Sequence, residues 1–372
     1  MNKQLLELQA DRIEAVLGLH NVDAQVIGGA VTPRWIRFQV LPAIGAKISK
    51  IKGLSEELAA ALDVPDCRVS RRGAAVAVEV PRHDPRPVRL LPLYRQLTAS
   101  SGDSIPPLTA TLGLSEDGAP LLIRLPSPDV AHILAAGATG SGKTVLLQSI
   151  ILSLAMSNSS KALSLVIIDP KRSALRLFDA LPHLACPVIW DPEEVSKVFQ
   201  RLMPLMERRG RDTRNPSPHF VLVIDELADL LMTSDPPVQR ALTWLIQHGR
   251  EAGIHVVAAT QKPTATVLGT LIKANFPVRL VGRMSSANDA RTAAGWSGTG
   301  AEHLMGRGDF IAIAEGRSTR FQAAHVSPAE IGQVIDKLRS DSTNLSWSPP
   351  ATHHSSTPDA IDRVFQPMLE IC

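Results

Sequence analysis

The stretch HILAAGATGSGKTVLLQSIIL, at residues 132–152, constrains the fold more strongly than the rest of the chain. It contains G-x-x-x-x-G-K-[ST], a glycine-rich turn whose backbone N–H groups can converge on phosphate oxygens because no side chains block the approach. Lys143 would reach the β- and γ-phosphates, and the Thr144 hydroxyl would bind Mg²⁺. The pattern predicts a site for ATP and Mg²⁺. The predicted phosphate-binding residues are Gly137, Ala138, Thr139, Gly140, Ser141, Gly142, Lys143 and Thr144.

The residues on either side of the motif fit the same kind of site. Ile133–Ala136 is a short apolar run that predicts a buried strand, and apolar residues recur at helical spacing after the loop. Strand, loop and helix then follow in the order that turns a helix N-terminus toward the bound phosphate. The apolar residues of the predicted helix are Leu146, Leu147, Ile150, Ile151 and Leu154.

Hydropathy and cysteine usage indicate a protein of the reducing cytoplasm. The most apolar predicted helix, Val145–Met156, is shorter than the roughly 20 residues needed to span a bilayer, so no membrane insertion is expected. The amino-terminal stretch mixes acidic and apolar residues as an amphipathic helix does. The cysteines Cys67, Cys186 and Cys372 form no C-x-x-C pair, which argues against a disulfide framework or a zinc site.

The alternation of short apolar runs with amphipathic segments predicts an α/β fold for the larger part of the chain, with a mainly parallel sheet covered on both faces. A net charge of +3 is too small for a polybasic tail, so contacts to nucleic acid would have to come from local patches. The predicted strands are Ile133–Ala136, Leu163–Asp169, Pro187–Trp190, Phe220–Asp225, His255–Thr260, Val278–Val281 and Phe310–Ile313.

A smaller α+β domain is predicted ahead of this sheet. Ile36, Phe38 and Val40 alternate with polar residues as in a half-buried strand, and 74–80 predicts a second strand. Leucines 54, 58 and 62 form a short helical stripe, and prolines interrupt the chain from 81 to 107. The predicted divisions are an N-terminal helix at 1–22, the α+β domain at 23–105, the nucleotide-binding domain at 106–340 and a flexible Ser/Thr/Pro-rich tail at 341–372.

The stretch HFVLVIDELADLL supplies two candidate catalytic carboxylates. Five apolar residues, Phe220–Ile224, predict a buried strand that delivers Asp225 and Glu226 to its carboxyl end, the edge where ligands bind in open α/β sheets. Asp225 would hold Mg²⁺ directly or through water. Glu226 would accept a proton from the water that attacks the γ-phosphate. Acidic residues at strand ends are often simple caps, and the pairing with the phosphate loop favours the catalytic interpretation.

Two further strand ends carry polar residues whose roles remain open at this point. Thr260 and Gln261 follow a predicted strand and could sense the γ-phosphate, or they could be a simple strand exit before Pro263. Asp169 and Lys171 fall at the end of another strand, where a structural ion pair and a DNA contact are both possible.

Arg250 and Arg291 are the candidate arginine fingers. The guanidinium is always charged and planar, which suits the negative charge that develops on a γ-phosphate during transfer. A surface salt bridge is the alternative for either residue.

Seven stretches of the chain together resemble the FtsK/SpoIIIE family of DNA translocases, over about residues 24–331. The resemblance implies a RecA-like motor domain that forms a hexameric ring around double-stranded DNA and pumps it with ATP, preceded by a non-catalytic domain. It also implies that a finger from Arg250 or Arg291 acts on the neighbouring subunit. The stretches are HILAAGATGSGKT, LVIIDPKR, VLVIDELADLL, REAGIHVVAATQKP, LGTLIKANFPVRL, MSSANDART and LMGRGDF.

The sequence departs from the family pattern in several places. The basic residue of the family's SSKxDSRT stretch is replaced by Ala287, and the family's TQRP is TQKP here, with Lys262. The membrane helices of septum-anchored members and the winged-helix module of many others are not found in the sequence, which favours a bare motor.

The resemblance leads us to expect an ATP-dependent double-stranded DNA translocase that works as a homo-oligomer, with a recruiting protein that the sequence does not identify. The alternatives are an ATP-gated DNA-binding or assembly module and a secretion-type motor that acts on protein. Candidate DNA-contacting loops are Leu175–Asp179, with Lys171, Arg172 and Arg176 nearby, and Val267–Lys273; a solvated helix face is the alternative for both.

Overall fold

The computed structural model of the 372-residue chain describes residues 3–100, 105–172, 174–210, 216–263 and 275–343. The chain divides into two compact units, the first ending at Pro87 and the second beginning at Val88. The described helices include none that is both long and apolar enough to cross a membrane. The candidate loop Val267–Lys273 and the predicted tail beyond residue 343 lie outside the described residues.

The first unit contains a four-stranded antiparallel sheet in the order β1-β2-β4-β3. The predicted alternation in β2 is confirmed, because Ile36, Phe38 and Val40 are buried whereas Gln39 is exposed. Ile13 and Leu17 of α1 are buried together with these strand residues in one hydrophobic core. The elements are α1 (Lys3–Leu19), β1 (Ala24–Val31), β2 (Trp35–Pro42), α2 (Ile48–Lys52), α3 (Ser55–Ala61), β3 (Arg68–Arg72) and β4 (Ala75–Pro81).

The division between the units differs from the predicted boundary at 105/106. A helix at Leu90–Ser100 lies within the proline-containing stretch and includes Pro92, and its residues Leu90, Leu93 and Leu97 are buried in the core of the second unit. The boundary therefore falls after Pro87. The prolines mark where the chain cannot continue a sheet, but burial of this helix decides which unit it joins. The predicted 1–22 segment is likewise not separate, because α1 packs in the first unit's core.

The second unit is built around a nine-stranded sheet in the order β6-β5-β13-β12-β11-β7-β10-β9-β8. The elements are α4 (Leu90–Ser100), β5 (Thr109–Ser115), β6 (Pro120–Arg124), β7 (Ile133–Ala136), α5 (Lys143–Ser157), β8 (Leu163–Ile168), α6 (Pro192–Gly210), β9 (His219–Ile224), α7 (Leu227–Thr233), α8 (Pro236–His248), β10 (Ile254–Thr260), β11 (Val278–Gly282), α9 (Ala287–Ala294), β12 (Asp309–Ala314), β13 (Arg317–Ala323) and α10 (Pro328–Thr343).

The α/β class is confirmed, and the sheet is mixed. Strands β8, β9, β10, β7 and β11 pair in parallel. Strands β12, β13, β5 and β6 continue the sheet in antiparallel pairing. The expectation of a mainly parallel sheet therefore holds for the half that carries the phosphate motif. The antiparallel half includes β5, β6 and β13, which the sequence analysis did not predict.

Side chains of the parallel strands alternate between two cores. Leu165, Ile167, Val221 and Val223 face the core that contains α5, whereas the intervening residues of the same strands face the core of α6, α7 and α8. Since successive side chains of a strand point to opposite faces, a continuous apolar run is required when both faces are covered. This explains why the runs LVII and VLVI lack the polar alternation of an exposed sheet.

The predicted strand Pro187–Trp190 is wrong. In this segment Ile189 forms only an isolated bridge with Ile168. The backbone N–H of Ile189 donates to the carbonyl of Ile167 and its own carbonyl accepts from Asp169, both at the edge of β8. Two hydrogen bonds hold this apolar segment beside β8, and they are too few to extend the ladder into a tenth strand.

Three histidines lie together at the amino-terminal edge of the parallel strands. Nδ1 of His255 donates to the carbonyl of Ala131 at 2.9 Å, and Nε2 of His255 lies 3.4 Å from Nδ1 of His219. Nδ1 of His132 accepts the N–H of Val256 at 2.9 Å. Burial lowers the pKa of His132 to about 3 and the pKa of His255 to about 4, so both side chains are neutral at pH 7.

We expect acid to destabilise the second unit through these histidines. Unfolding returns each pKa to about 6.5, so the unfolded chain binds more protons below that pH. The stability is therefore present above about pH 6.5 and is lost as the pH falls toward the folded values. For His132 and His255 the loss between pH 7 and pH 5 is about 2 kcal/mol each in the free energy of unfolding. Urea unfolding followed by circular dichroism measures it.

The matched variants are His255→Phe and His303→Asn. His255→Phe should reduce the loss of unfolding free energy between pH 7 and pH 5 by about 2 kcal/mol, and His303→Asn, at a side chain that is 83% exposed, is the surface control. Equal unfolding free energies of the parent protein at pH 7 and pH 5 would contradict this assignment.

Candidate functional site

The phosphate loop connects β7 to α5, as predicted. Gly140 and Gly142 have φ values of +78° and +100°, in the left-handed region that favours glycine. A Cβ atom on Gly142 would lie 2.5 Å from the backbone N of Gly308, so space as well as conformation excludes a larger residue there. The loop glycines are therefore required by the fold of the loop itself.

A turn at Gly306–Gly308 holds the outer side of the phosphate loop. The N–H groups of Arg307 and Gly308 donate to the carbonyls of Gly140 and Ser141, at 2.9 and 2.7 Å. With these two carbonyls bound on the outside, the loop is fixed from the antiparallel half of the sheet. The motif GRGD, which entered the sequence analysis only through the family resemblance, thus has a structural role.

A buried ion pair supports this turn. Asp309 in β12 accepts from Nε and Nη2 of Arg320 in β13, at 2.7 and 2.6 Å. The second oxygen of Asp309 also accepts the N–H of Met305 at 3.0 Å. Because the buried carboxylate accepts three N–H groups, it anchors both ends of the turn to the neighbouring strand.

The interior of the phosphate loop fits a bound nucleotide. The Lys143 side chain is buried, and its Nζ donates to the carbonyl of Gly137 at 3.1 Å. Burial lowers the pKa of Lys143, and the nearby charges of Glu226 and Asp225 oppose that shift. Oγ of Ser141 is buried without a hydrogen-bond partner among the described residues. A triphosphate would supply acceptors for both groups.

Asp225 lies at the carboxyl end of β9, beside the end of β8. It is 8% exposed, and its pKa is raised to about 6, mainly by burial and next by the negative charge of Asp169, while Lys143 opposes the shift. A buried carboxylate beside a second carboxylate is a donor set that a divalent cation would stabilise. Thr144 is half-buried in the first turn of α5.

Glu226 is held by groups from two neighbouring strands. Its Oε1 accepts from the Thr260 hydroxyl at 2.6 Å, and both of its oxygens accept the N–H of Gln261, at 3.1 and 3.0 Å. Nζ of Lys171 lies 3.5 Å from Oε2, and it also contacts Asp229 at 3.3 Å. These contacts fix the orientation of a carboxylate that is 2% exposed.

Two open questions from the sequence are answered by this arrangement. Lys171 forms an ion pair with Glu226 and Asp229, so of the two interpretations the structural ion pair is the one observed. Gln261 is more than a strand exit, because its Oε1 accepts from the Thr139 hydroxyl of the phosphate loop at 3.1 Å. The end of β10 thereby connects the phosphate loop to Glu226.

Neither candidate finger is brought to this site within the chain. Arg250 precedes β10, whose seven residues span about 20 Å, so it lies near the opposite edge of the sheet. Arg291 is exposed in α9, where its Nη2 donates to Oδ1 of Asn288 at 3.2 Å. It lines an open cleft of about 310 Å³ that contains none of the phosphate-loop residues.

Sequence reasoning missed an arginine that does contact the loop. Arg283 directly follows β11, and its Nη2 lies 3.5 Å from the carbonyl oxygen of Thr139. The available signal was positional, because Arg283 follows a strand next to β7 just as Gln261 does.

The segment after β8 carries exposed basic side chains. Within the candidate loop Leu175–Asp179, Leu175 and Phe178 are buried, and Arg176 is exposed beside Asp179 at 3.7 Å. The guanidinium carbon of Arg172 lies 3.1 Å from the centroid of the Trp190 ring, an indole that is 40% exposed. The two arginines offer positive charge at the surface near Lys171.

Comparison with known proteins identifies the family. The FtsK/SpoIIIE family pattern matches residues 94–216, and the FtsK alpha domain pattern matches residues 1–82. The chain is 35% identical over 367 residues to DNA translocase FtsK of Bacillus anthracis, covering 90% of this chain and 45% of that protein. It is 33% identical over 367 residues to DNA translocase SpoIIIE of Bacillus subtilis strain 168, covering 91% and 46%. The chain belongs to the FtsK/SpoIIIE family.

A solved structure shares the fold of this FtsK/SpoIIIE family member. The pCW3 conjugation coupling protein TcpA, in a monomer form with ATPγS, aligns with a TM-score of 0.59 and 19% identity, over 89% of this chain and 99% of that one. At this identity the likeness shows the fold alone. The family member described here spans less than half the length of the two bacterial translocases.

We expect Glu226→Gln to keep nucleotide binding and to lose hydrolysis by about 100-fold or more. Glutamine can still accept from Thr260 and Gln261, but it cannot take a proton from water. Asp229→Asn is the matched control, because it removes the other carboxylate that contacts Lys171 and leaves Glu226 in place. Steady-state ATP hydrolysis and equilibrium binding of a fluorescent nucleotide measure both properties. Similar losses of hydrolysis in the two variants would contradict a catalytic role for Glu226.

Proposed function

We propose that the protein is an ATP-dependent translocase of double-stranded DNA. The observation that carries the proposal is that the phosphate loop, Asp225, Glu226 and Gln261 meet at one sheet edge in a chain of the FtsK/SpoIIIE family. Lys143 would neutralise charge on the β- and γ-phosphates. Glu226 would orient and deprotonate the attacking water, and its contact with Gln261 would link that step to the state of the loop.

Mg²⁺ would be held by Thr144 and Asp225. The Asp225 carboxylate is destabilised as an anion by burial and by Asp169, and binding of a cation would relieve both effects. The ion supplies charge neutralisation between the phosphates when it is bound. Asp169, which follows the neighbouring strand β8, would contribute a second negative charge near the ion.

A ring of identical subunits, expected to be hexameric, fits the position of Arg250. Within one chain this residue lies near the edge opposite to the phosphate loop. It could reach a γ-phosphate only if that phosphate were bound to a neighbouring copy. ATP hydrolysis at an interface between subunits would change the contacts between two copies. Hydrolysis at successive interfaces around a ring would then move the DNA.

DNA contact would be made mainly to phosphates. Arg172 and Arg176 are exposed near Lys171, whose ammonium contacts Glu226. Contacts of this kind are strongly salt-dependent and carry little sequence information. The ATP-gated assembly module and the protein-moving motor stay as alternatives, and the experiments below separate them.

Duplex DNA should stimulate ATP hydrolysis several-fold at low salt, and single-stranded DNA should do so less. Lys143→Ala should abolish the activity, because the phosphates lose their buried cation. A triplex-displacement assay then tests movement, since only a moving motor clears a third strand from the duplex. Hydrolysis that ignores duplex DNA at low salt contradicts the proposal. Stimulation without displacement favours the assembly module, and stimulation by a protein client alone favours the secretion-type motor.

Mixing inactive variants should test the trans role of Arg250. Arg250→Ala and Lys143→Ala subunits are each expected to be inactive alone and to regain part of the activity when mixed. Some interfaces then combine the intact phosphate loop of one variant with the intact Arg250 of the other. Glu226→Gln mixed with Lys143→Ala is the matched control. Both substitutions damage the nucleotide-binding side of the subunit interface, so every interface in a mixed ring is defective and no rescue is expected. Lack of rescue with Arg250→Ala at every ratio would exclude a trans finger at this position.

A further inference from the structure

The backbone of Arg283 is tied to the phosphate loop. Strand β11 pairs in parallel with β7, with Val281 opposite Ala136, and Arg283 is the first residue after β11. Its carbonyl accepts the N–H of Ala138 at 2.8 Å. The sheet therefore places this arginine beside the loop in the same chain, without help from another subunit.

The side chain of Arg283 runs along the loop. Its Nη2 lies 3.5 Å from the carbonyl oxygen of Thr139. A Cβ atom on Gly140 would lie 3.7 Å from Nη2, and one on Gly306 would lie 3.5 Å from Nε, so no neighbouring side chain separates the guanidinium from the loop backbone at these positions. The guanidinium has five N–H donors, and a contact at 3.5 Å is at the long limit of a hydrogen bond.

The charge of Arg283 has no carboxylate partner within the described part of the chain: its polar contact there is the Thr139 carbonyl. The side chain is exposed at the edge of the site. An always-charged planar fork in this position suits an anion with several oxygens, and a phosphate group can accept two of its N–H groups at once.

Thr139 is contacted from both sides. Its hydroxyl donates to Gln261, whose N–H donates to Glu226, and its carbonyl faces Arg283. If Glu226 acts on water beside the γ-phosphate, Thr139 marks the part of the loop nearest to that phosphate. The carboxylate group of the site then lies on the β10 side of the loop and the arginine on the β11 side.

We infer that Arg283 binds the terminal phosphate of the nucleotide held by its own subunit and so makes the site prefer a triphosphate to a diphosphate. This rests on the proposed function only in assigning the phosphate loop and Glu226 to ATP; it does not require DNA or a ring. Arg283 is thus distinct from Arg250 and Arg291, for which the proposed action is on a neighbouring subunit.

Nucleotide affinity without DNA tests the inference. A labelled ADP is displaced with unlabelled ADP or with a non-hydrolysable β,γ-imido analogue of ATP, both with Mg²⁺. In Arg283→Ala the affinity for the ATP analogue should fall by about 10-fold, because a charge-assisted contact is lost, while the affinity for ADP should change by less than about twofold. Arg283→Lys keeps the charge without the fork, and its affinity for the analogue should lie between those of the parent and Arg283→Ala.

Arg240→Ala is the matched control. Arg240 is an exposed arginine on α8, and its loss should leave both affinities unchanged. Circular dichroism checks the fold of each variant, and Arg283→Gln repeats the measurement with a side chain of similar length should Arg283→Ala fail to fold. Equal losses for ADP and the ATP analogue would show that Arg283 only braces the loop, and unchanged affinities would show that it contacts neither nucleotide. Either result overturns the inference.

The outcome is independent of the translocase proposal. A selective loss of ATP-analogue affinity in a protein whose hydrolysis ignores DNA would sustain the role of Arg283 and remove DNA movement. Equal losses of affinity for ADP and for the ATP analogue, in an enzyme whose hydrolysis is stimulated by DNA, would exclude the proposed role of Arg283 and leave the translocase proposal intact.

Discussion

Parallel pairing of β7 with β10 on one side and β11 on the other is the constraint on which the site depends. Parallel strands end at the same edge of the sheet. Residues that follow different strands therefore lie close together although they are far apart in the sequence. The phosphate loop follows β7, Gln261 follows β10 and Arg283 follows β11. The contacts of Gln261 and Arg283 to the loop are consequences of this shared edge.

The antiparallel half of the sheet has a different task. Its strand β12 begins at Asp309, and the turn before it donates two backbone N–H groups to the phosphate loop. The buried pair of Asp309 and Arg320 ties that turn to β13. A loop that must leave its N–H groups free for an anion needs its carbonyls bound elsewhere, and this half of the sheet supplies the donors.

The contacts of Lys171 connect the candidate site to the surface. Its ammonium contacts Glu226 inside the site and Asp229 near the surface, and the next residue, Arg172, stacks on exposed Trp190. A ligand that bound the basic segment after β8 would contact the same short stretch of chain that contains Lys171, and Lys171 orients Glu226. Under the proposed function, DNA bound to this segment would thereby influence ATP hydrolysis.

Much of the site could be predicted from sequence because its chemistry is local. Gly137–Thr144 adopt their loop for reasons of backbone conformation, and Asp225 and Glu226 follow an apolar run whose burial is evident in the residues themselves. The helix after the loop was predictable too, since Leu146, Leu147 and Ile150 recur at helical spacing and are all buried. Seven ordered motifs also pointed to the family that the comparisons establish.

What the sequence determined by itself was therefore most strands of the parallel half of the sheet and the glycine-rich loop between β7 and α5, because hydropathy periodicity and glycine conformation act within a few residues. Tertiary structure alone decided the neighbours: that Pro187–Trp190 stays outside the ladder, that α4 joins the second unit, that Arg250 lies far from the loop of its own chain and that Arg283 lies against it. These outcomes depend on which strands pair and which faces are buried, and such contacts join residues too distant in sequence for any local pattern to record.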